Sequence, residues 1–435
     1  MATDHFTDAL LELNPWLEYP QQFGDVVAQR HLPIRPQRRA TQLIAEVDRA
    51  TLVIGPRQAG KSTLVWRELA TYNPALIYLS GEEPSFRALA ESPALFRAKL
   101  RQVLPAPSAI FIDEAQHFAD AGLLVKTLVD SRPGCPVLVT GSSSFHLLAR
   151  TRESLAGRAN YQHLMPFSLD ELAPQTGQSP AIVAHGRATA WRRHVVYGGY
   201  PRVALAASDA QAEAELRRLV RAVVLRDASD VHKVKNSQSF HKLLTLAAGQ
   251  VGSLVNVTEW AALVATHRAT VNDWIALLED MHIVVTCPVY AGGKRAEVTH
   301  ARKFFFVDCG LRNALVDSFA DLSVRADRGA LLEQWVFSEL HKRAEFEARL
   351  HHWRTRAGAE VDFVLDLPHG LVGIEVKVGP ADPPRLSKSV LSFIEAYAPK
   401  RFFVVHGGVS GEARVAETAV RWVSPSDFMV NLLAD

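Results

Sequence analysis

Three things are scarce in this chain of 435 residues, and each scarcity narrows the possibilities. Cysteine is the first. Cys135, Cys287 and Cys309 are the whole complement, far apart and without metal-ligand spacing, which fits a reducing, cytoplasmic compartment and assigns them no chemistry. Long apolar runs are the second. No stretch approaches the ~18–20 consecutive apolar residues of a membrane helix, and the opening Met-Ala-Thr-Asp-His is no signal peptide. No membrane partner is expected. Net charge is the third: 48 Lys and Arg against 46 Asp and Glu leave +2, so any nucleic-acid contact must come from a local patch rather than a global field. What the chain does have is apolar content, 48% of residues at a mean hydropathy of +0.01, and length for two or three packed domains.

Residues 55–62 read Gly55-Pro56-Arg57-Gln58-Ala59-Gly60-Lys61-Ser62, a complete phosphate-binding loop. Two glycines let successive backbone N–H groups turn inward around phosphates, Lys61 reaches the β/γ oxygens, and the Ser62 hydroxyl ligates Mg2+. Thr51-Leu-Val-Ile54 is a short buried strand feeding the loop, and Thr63 to Ala70 continues as a helix with its N-terminus facing the anion. ATP and Mg2+ are the cofactors this implies. The second half of such a site is an acidic residue ending another buried strand, and Ser108-Ala-Ile-Phe-Ile-Asp113-Glu114 supplies it. Asp113 is assigned to the Mg2+ shell and Glu114 to polarising the water that attacks the γ-phosphate, so hydrolysis is expected rather than transfer to a second substrate. The alternative is a helix-capping pair after a core strand. A third strand, Pro136 to Thr140, runs into Gly141-Ser142, where Ser142 either senses the γ-phosphate or caps the next helix.

Composition and punctuation divide the chain into an extended N-terminal arm or docking segment (1–35), a P-loop ATPase core (36–168), a helical lid packed on that core (169–230), a winged helix (231–315) and a C-terminal α/β domain (316–435). In the lid Leu216, Leu219, Val220 and Val223 recur at helical spacing. Arg158, in Ala156-Gly157-Arg158, is either an arginine finger reaching a neighbouring subunit's γ-phosphate or a surface arginine in a salt bridge.

Residues 238–307 read as three helices followed by two strands, His282–Tyr290 and Arg302–Val307. In the last helix Val271, Trp274, Ile275 and Leu278 face a core, while His267, Arg268, Thr270 and Asn272 point outward. This is the order of a winged helix-turn-helix, whose last helix and wing, here Ala291-Gly-Gly-Lys294-Arg295, meet DNA. Lys and Arg outnumber Asp and Glu by eight to five over residues 232–303, a slight bias, and winged helices also serve as protein-packing modules.

Glu360-Val-Asp362-Phe-Val-Leu and Gly373-Ile-Glu375-Val-Lys377-Val are two further strands. Positions i and i+2 of a strand share a face, so Glu375 and Lys377 point together, and hairpin pairing brings Asp362 beside them. This is the Asp…Glu-x-Lys pattern of restriction-endonuclease-like sites, in which two carboxylates hold a divalent metal and the lysine orients water. Glu333, on an upstream helix, is a further ligand. The alternative is a charge pair on an exposed strand face, and a retained site need not cut.

Together these residues resemble the bacterial and archaeal AAA-type P-loop ATPases with a C-terminal restriction-nuclease-like domain, a family of poorly known function. The resemblance is carried by Gly55 to Ser62, Ile112-Asp-Glu-Ala-Gln116, Thr140-Gly-Ser-Ser143, Ala156-Gly-Arg158, Pro166-Phe-Ser168, Tyr197-Gly-Gly-Tyr-Pro201, Lys303-Phe-Phe-Phe-Val-Asp308-Cys-Gly310, Trp353-Arg-Thr355, Glu360-Val-Asp-Phe363 and Ile374-Glu-Val-Lys377. It spans about residues 36–410 and leaves the proline-containing arm and Pro383-Pro384 uncovered. It implies ATP binding, a winged-helix middle and a nuclease-fold end. Two functions follow. One is an ATP-driven enzyme acting on duplex or branched DNA as a homo-oligomer, such as a hexameric ring, with cleavage or grip from the C-terminal domain. The other is a nucleotide-controlled switch or scaffold that holds a protein partner.

Overall fold

The computed structural model describes residues 5–30, 43, 45–141, 155–173, 179–222, 236–292, 302–343, 346, 349–379, 385–408 and 410–434. It forms two compact units, 1–165 with 280–282, and 166–279 with 283–435. Ser142, Val223, Lys294, Arg295 and the Pro383-Pro384 loop lie outside the described residues.

The first unit is built on five parallel strands: β1 (Ala50–Ile54), β2 (Leu76–Ser80), β3 (Ala109–Asp113), β4 (Val137–Gly141) and β5 (Ala159–His163), in the order β2-β3-β4-β1-β5. The first four read as unbroken apolar runs because both faces of the sheet are covered. Their side chains alternate strictly between two cores. Leu52, Ile54, Ile77, Leu79, Ile110, Ile112, Val137 and Val139 join Phe86, Phe96 and Leu100 on one face. Val53, Tyr78, Phe111 and Leu138 join Leu64, Val65 and Trp66 on the other. Each such side chain fully buried is worth about 1.5–3 kcal/mol against exposure.

The N-terminal segment is packed on the sheet, in line with a docking segment rather than an extended arm. It forms helices His5–Leu13 and Phe23–Arg30, which place Phe6 and Leu10 in one core and Trp16, Phe23 and Val27 in the other. The reason lies at the edge of the sheet. β2 ends the strand order and would leave its backbone groups unpaired. The fully buried Asn14 satisfies them: its Oδ1 accepts from Tyr78 N at 2.6 Å and its Nδ2 donates to Tyr78 O at 2.9 Å. Trp16 Nε1 donates to Leu76 O at 2.9 Å.

The second unit contains helices Pro180–Tyr197, Asp209–Leu219, Ser237–Gly249, Val257–Leu263 and Arg268–Asp280, then an antiparallel pair, β6 (Val284–Pro288) with β7 (Arg302–Phe306). Val271, Trp274, Ile275 and Leu278 are buried, whereas His267, Arg268 and Asn272 are exposed. A six-stranded sheet follows: β8 (Leu350–Arg354), β9 (Glu360–Leu367), β10 (Gly370–Lys377), β11 (Arg401–His406), β12 (Gly411–Val415) and β13 (Thr418–Val423), ordered β12-β13-β11-β10-β9-β8. The β8-β9-β10 meander is antiparallel, β10-β11-β13 is parallel, and helix Arg328–His341 precedes the sheet in the chain.

The described part of the segment expected as a lid on the ATPase core falls in this second unit instead. Its contacts explain why. Leu169 N donates to the buried Glu339 carboxylate at 2.9 Å, and Asn313 Nδ2 donates to Val196 O at 2.8 Å. Gly199 N donates to Asp308 Oδ2 at 2.7 Å, and Phe167 N to Gly199 O at 2.7 Å. Position 199 must be glycine, because a Cβ there would lie 1.9 Å from Phe167 O. Leu216, Leu219 and Val220 are buried, as their spacing predicts.

Candidate functional site

The loop from Gly55 to Gly60 leaves the C-terminal end of β1 and enters helix Lys61–Leu69. Leu164 N donates to Ile54 O at 2.7 Å, and a Cβ on Gly55 would meet Leu164 O at 2.0 Å, so only glycine allows this approach. Gln58 and Glu114 both hold φ in the left-handed region, at 62° and 52°, which costs roughly 1 kcal/mol or more for a side chain of this kind and concentrates at functional sites. Pro56 and Ala59 are buried, Gln58 is exposed, and Arg57 lies 3.9 Å from Glu82.

Lys61 is buried and donates to the carbonyls of Gly55 at 3.0 Å and Pro56 at 2.9 Å. Burial lowers its pKa to about 8, against the opposing pull of Glu114 and Asp113. Ser62 Oγ donates to Asp113 Oδ1 at 2.7 Å. Burial likewise raises the Asp113 carboxyl, countered by its hydrogen bonds from Thr140 and Ser62. Two residues complete the group that sequence reasoning did not assign. Thr140, at the end of β4, donates to Asp113 Oδ1 and accepts from Glu114 N at 3.0 Å. Tyr78 Oη donates to Asp113 Oδ2 at 3.4 Å. Thr140 stands in a motif that carries the family resemblance; Tyr78 has no local signal, since only the β2-β3 pairing brings it to Asp113. Glu114 accepts from Gln116 Nε2.

Lys61, Ser62, Asp113, Glu114 and Thr140 therefore converge at the C-terminal edge of the sheet, with Thr63 on the first turn of the helix that follows the loop. The Ser62 and Asp113 oxygens lie close enough to share one small hard cation, so these residues fit Mg2+ with a nucleotide triphosphate. Arg158 is elsewhere. Its carbonyl accepts from Ala50 N at 2.8 Å, at the start of β1 and β5, and about 13 Å of strand separates that edge from the loop. It is half-exposed and ion-paired to Asp130 at 2.5 Å.

The second unit holds a separate acidic centre. The register of β9 and β10 puts Ile374 opposite Phe363, so Asp362 and Glu375 come next to each other, and Val376 N donates to Asp362 Oδ2 at 2.7 Å. Glu375 is buried and ion-paired to Lys377 at 2.5 Å. Burial raises its carboxyl to about 7, and raises Glu333 to about 8, with Asp362 adding to both. Asp362 too is raised by burial. Glu333, Asp362, Glu375 and Lys377 thus come together, but a residue from outside the pattern stands among them. Lys303 of β7, 2% exposed, places Nζ 2.8 Å from Glu333 Oε1, 2.5 Å from Glu360 Oε1 and 3.8 Å from Asp362 Oδ1. Burial disfavours its charge, but Glu333, Asp362 and Glu360 together more than offset this and hold the ammonium protonated. Among the described residues no group of three or more His, Cys, Asp or Glu is disposed to hold a metal ion. Of the expected ligands, Glu333 and Asp362 face Lys303, while Glu375 faces Lys377 through Oε1 and keeps a buried Oε2 without a hydrogen-bond partner.

Residues 47–173 match the family model described as "AAA domain". Residues 188–322 and 328–423 match two described as "Domain of unknown function" (DUF8612 and DUF4143). An uncharacterized protein of Mycobacterium tuberculosis is 28% identical over 378 residues, 85% of this chain and 79% of the relative. Another, of Methanocaldococcus jannaschii, is 20% identical over 325 residues, 72% of this chain and 71% of the relative. Among solved structures, the replication initiator DnaA bound to AMPPCP and single-stranded DNA aligns at a TM-score of 0.24 and 12% identity, covering 53% of this chain and 82% of DnaA. Aquifex aeolicus DnaA bound to AMPPCP aligns at 0.23 and 14%, covering 59% and 86%. Likenesses this distant carry no argument about this chain. No described helix is long and apolar enough to cross a membrane.

Proposed function

We propose that this protein hydrolyses ATP and acts on DNA as an assembly of several copies. The observation that carries the hydrolase reading is the convergence of Lys61, Ser62, Asp113, Glu114 and Thr140 at one edge of a parallel sheet. The backbone from Gly55 to Thr63 cradles the triphosphate, Lys61 leaves the Gly55 and Pro56 carbonyls for the β/γ oxygens, and Ser62 and Asp113 hold magnesium. Bound magnesium neutralises charge on the phosphate oxygens. Glu114 accepts a hydrogen bond from the attacking water and draws off its proton, steadied by Gln116 on its carboxylate and Thr140 on its backbone N–H.

Arg158 acts as a finger in this reading only on a neighbouring copy's nucleotide, since its own site is at the opposite edge of the sheet. A ring of copies, such as a hexamer, meets that requirement. The DNA half is supported by the exposed Arg268 and Asn272 on helix Arg268–Asp280 and by the exposed His267 just before it, followed by the β6-β7 pair. The near-neutral charge favours the competing reading, a nucleotide-driven switch that binds protein.

The test is the steady-state ATPase rate at low salt with single-stranded, duplex, forked and four-way DNA, with Lys61→Ala as the blank. DNA action predicts stimulation that depends on DNA structure and falls steeply with added salt. A robust rate indifferent to every DNA contradicts it and moves the search to protein partners.

A further inference from the structure

We infer that Lys303 is the resident cation of the acidic centre, and that this nuclease-like site holds no divalent metal and cuts no nucleic acid. Glu333 comes from helix Arg328–His341, and Glu360 and Asp362 from β9, so three carboxylates on two elements converge on one ammonium. A divalent ion bound by Glu333 and Asp362 would compete for the same oxygens and stand against a fixed positive charge within a few ångströms.

Lys303 is also held in place from both sides. β6 pairs with it through Cys287, and Leu254 bridges its other edge. Gly252 N donates to Phe304 O at 3.0 Å, and Val255 N to Arg302 O at 2.8 Å. The next residues lock β7 onto the helix that carries Glu333: Phe305 stacks on Phe337 at 4.1 Å, and Phe306 N donates to Gln334 Oε1 at 2.8 Å. Swinging Lys303 out means breaking this packing, not turning one exposed side chain. Two of the carboxylates have other cationic partners: Arg354 donates to Glu360 Oε2 at 2.7 Å, and Lys377 pairs with Glu375 through Oε1, whereas Glu375 Oε2 is buried without a hydrogen-bond partner. The acidic centre therefore joins the β6-β7 module to the nuclease-like sheet through charge, in the place where a nuclease would keep its metal.

The experiment titrates Mn2+ into nucleotide-free full-length protein, following free Mn2+ by electron paramagnetic resonance and unfolding by Tm. Wild type and Asp362→Asn should bind the same amount of Mn2+. Lys303→Met should gain one site and a Tm that rises with Mn2+, and Lys303→Met/Asp362→Asn should lose both. A wild-type site that disappears in Asp362→Asn would overturn the inference, as would a folded Lys303→Met that gains no Mn2+. If Lys303→Met does not fold, the comparison of wild type with Asp362→Asn decides alone.

Discussion

Single residues in this protein are set by burial acting on charge, and His194 shows it in the scaffold as clearly as Lys61 does in the phosphate loop. His194 is buried, and its Nδ1 accepts from Trp335 Nε1 at 3.0 Å, so the proton sits on Nε2, which donates to Phe167 O at 2.9 Å. Burial, reinforced by Lys342, lowers its pKa to about 3. The unfolded chain then binds the proton more readily than the native state between that value and the ordinary 6.5. Stability from the neutral ring is fully present above pH 6.5 and drains away as pH falls, with about 3 kcal/mol lost by pH 4. Urea unfolding between pH 4 and 8 should show this slope, and His194→Gln should flatten it while lowering stability at neutral pH. An unchanged slope would mean that another group carries the acid sensitivity. The phosphate loop was legible because Gly55, Gly60, Lys61 and Ser62 are neighbours in the chain. Lys303 stands in a motif that carries the family resemblance, but its burial among carboxylates was not legible, because those carboxylates lie 30 or more positions away.

At the scale of elements the decisive contacts are those that finish a sheet. Trp16 has no exposure, packs edge-on against Phe23 and Trp66, and donates to Leu76 O. Trp16→Ala should cost about 3–5 kcal/mol, measured by urea denaturation, and should loosen the edge at β2 as read by hydrogen exchange at Tyr78. A loss below 1 kcal/mol would contradict the docked N-terminal segment. Helix Arg268–Asp280 was readable because its buried set repeats within four residues. Docking of the N-terminal segment was one of two alternatives the sequence offered, but where residues 5–30 dock was not legible, since Asn14 and Trp16 find their partners some 60 positions along. The same holds for Gly199, whose need for a bare Cα is imposed by Phe167 and Asp308.

For the whole molecule, strand order explains how a nucleotide site arises from residues 50 and more positions apart. With β4 between β1 and β3, the ends of three parallel strands deliver the loop, Thr140 and the Asp113-Glu114 pair to one edge. The strand at 159–163 and the crossing order were not predicted, because short runs such as Ala-Asn-Tyr-Gln-His carry no apolar pattern. The most direct test of the account is ATP turnover and nucleotide binding measured side by side on wild type, Glu114→Gln and Lys61→Ala. Glu114→Gln should bind ATP with wild-type affinity yet hydrolyse it at least ~100-fold more slowly, and Lys61→Ala should bind none. Turnover by Glu114→Gln at the wild-type rate would contradict the assignment of that carboxylate and the hydrolytic mechanism built on it.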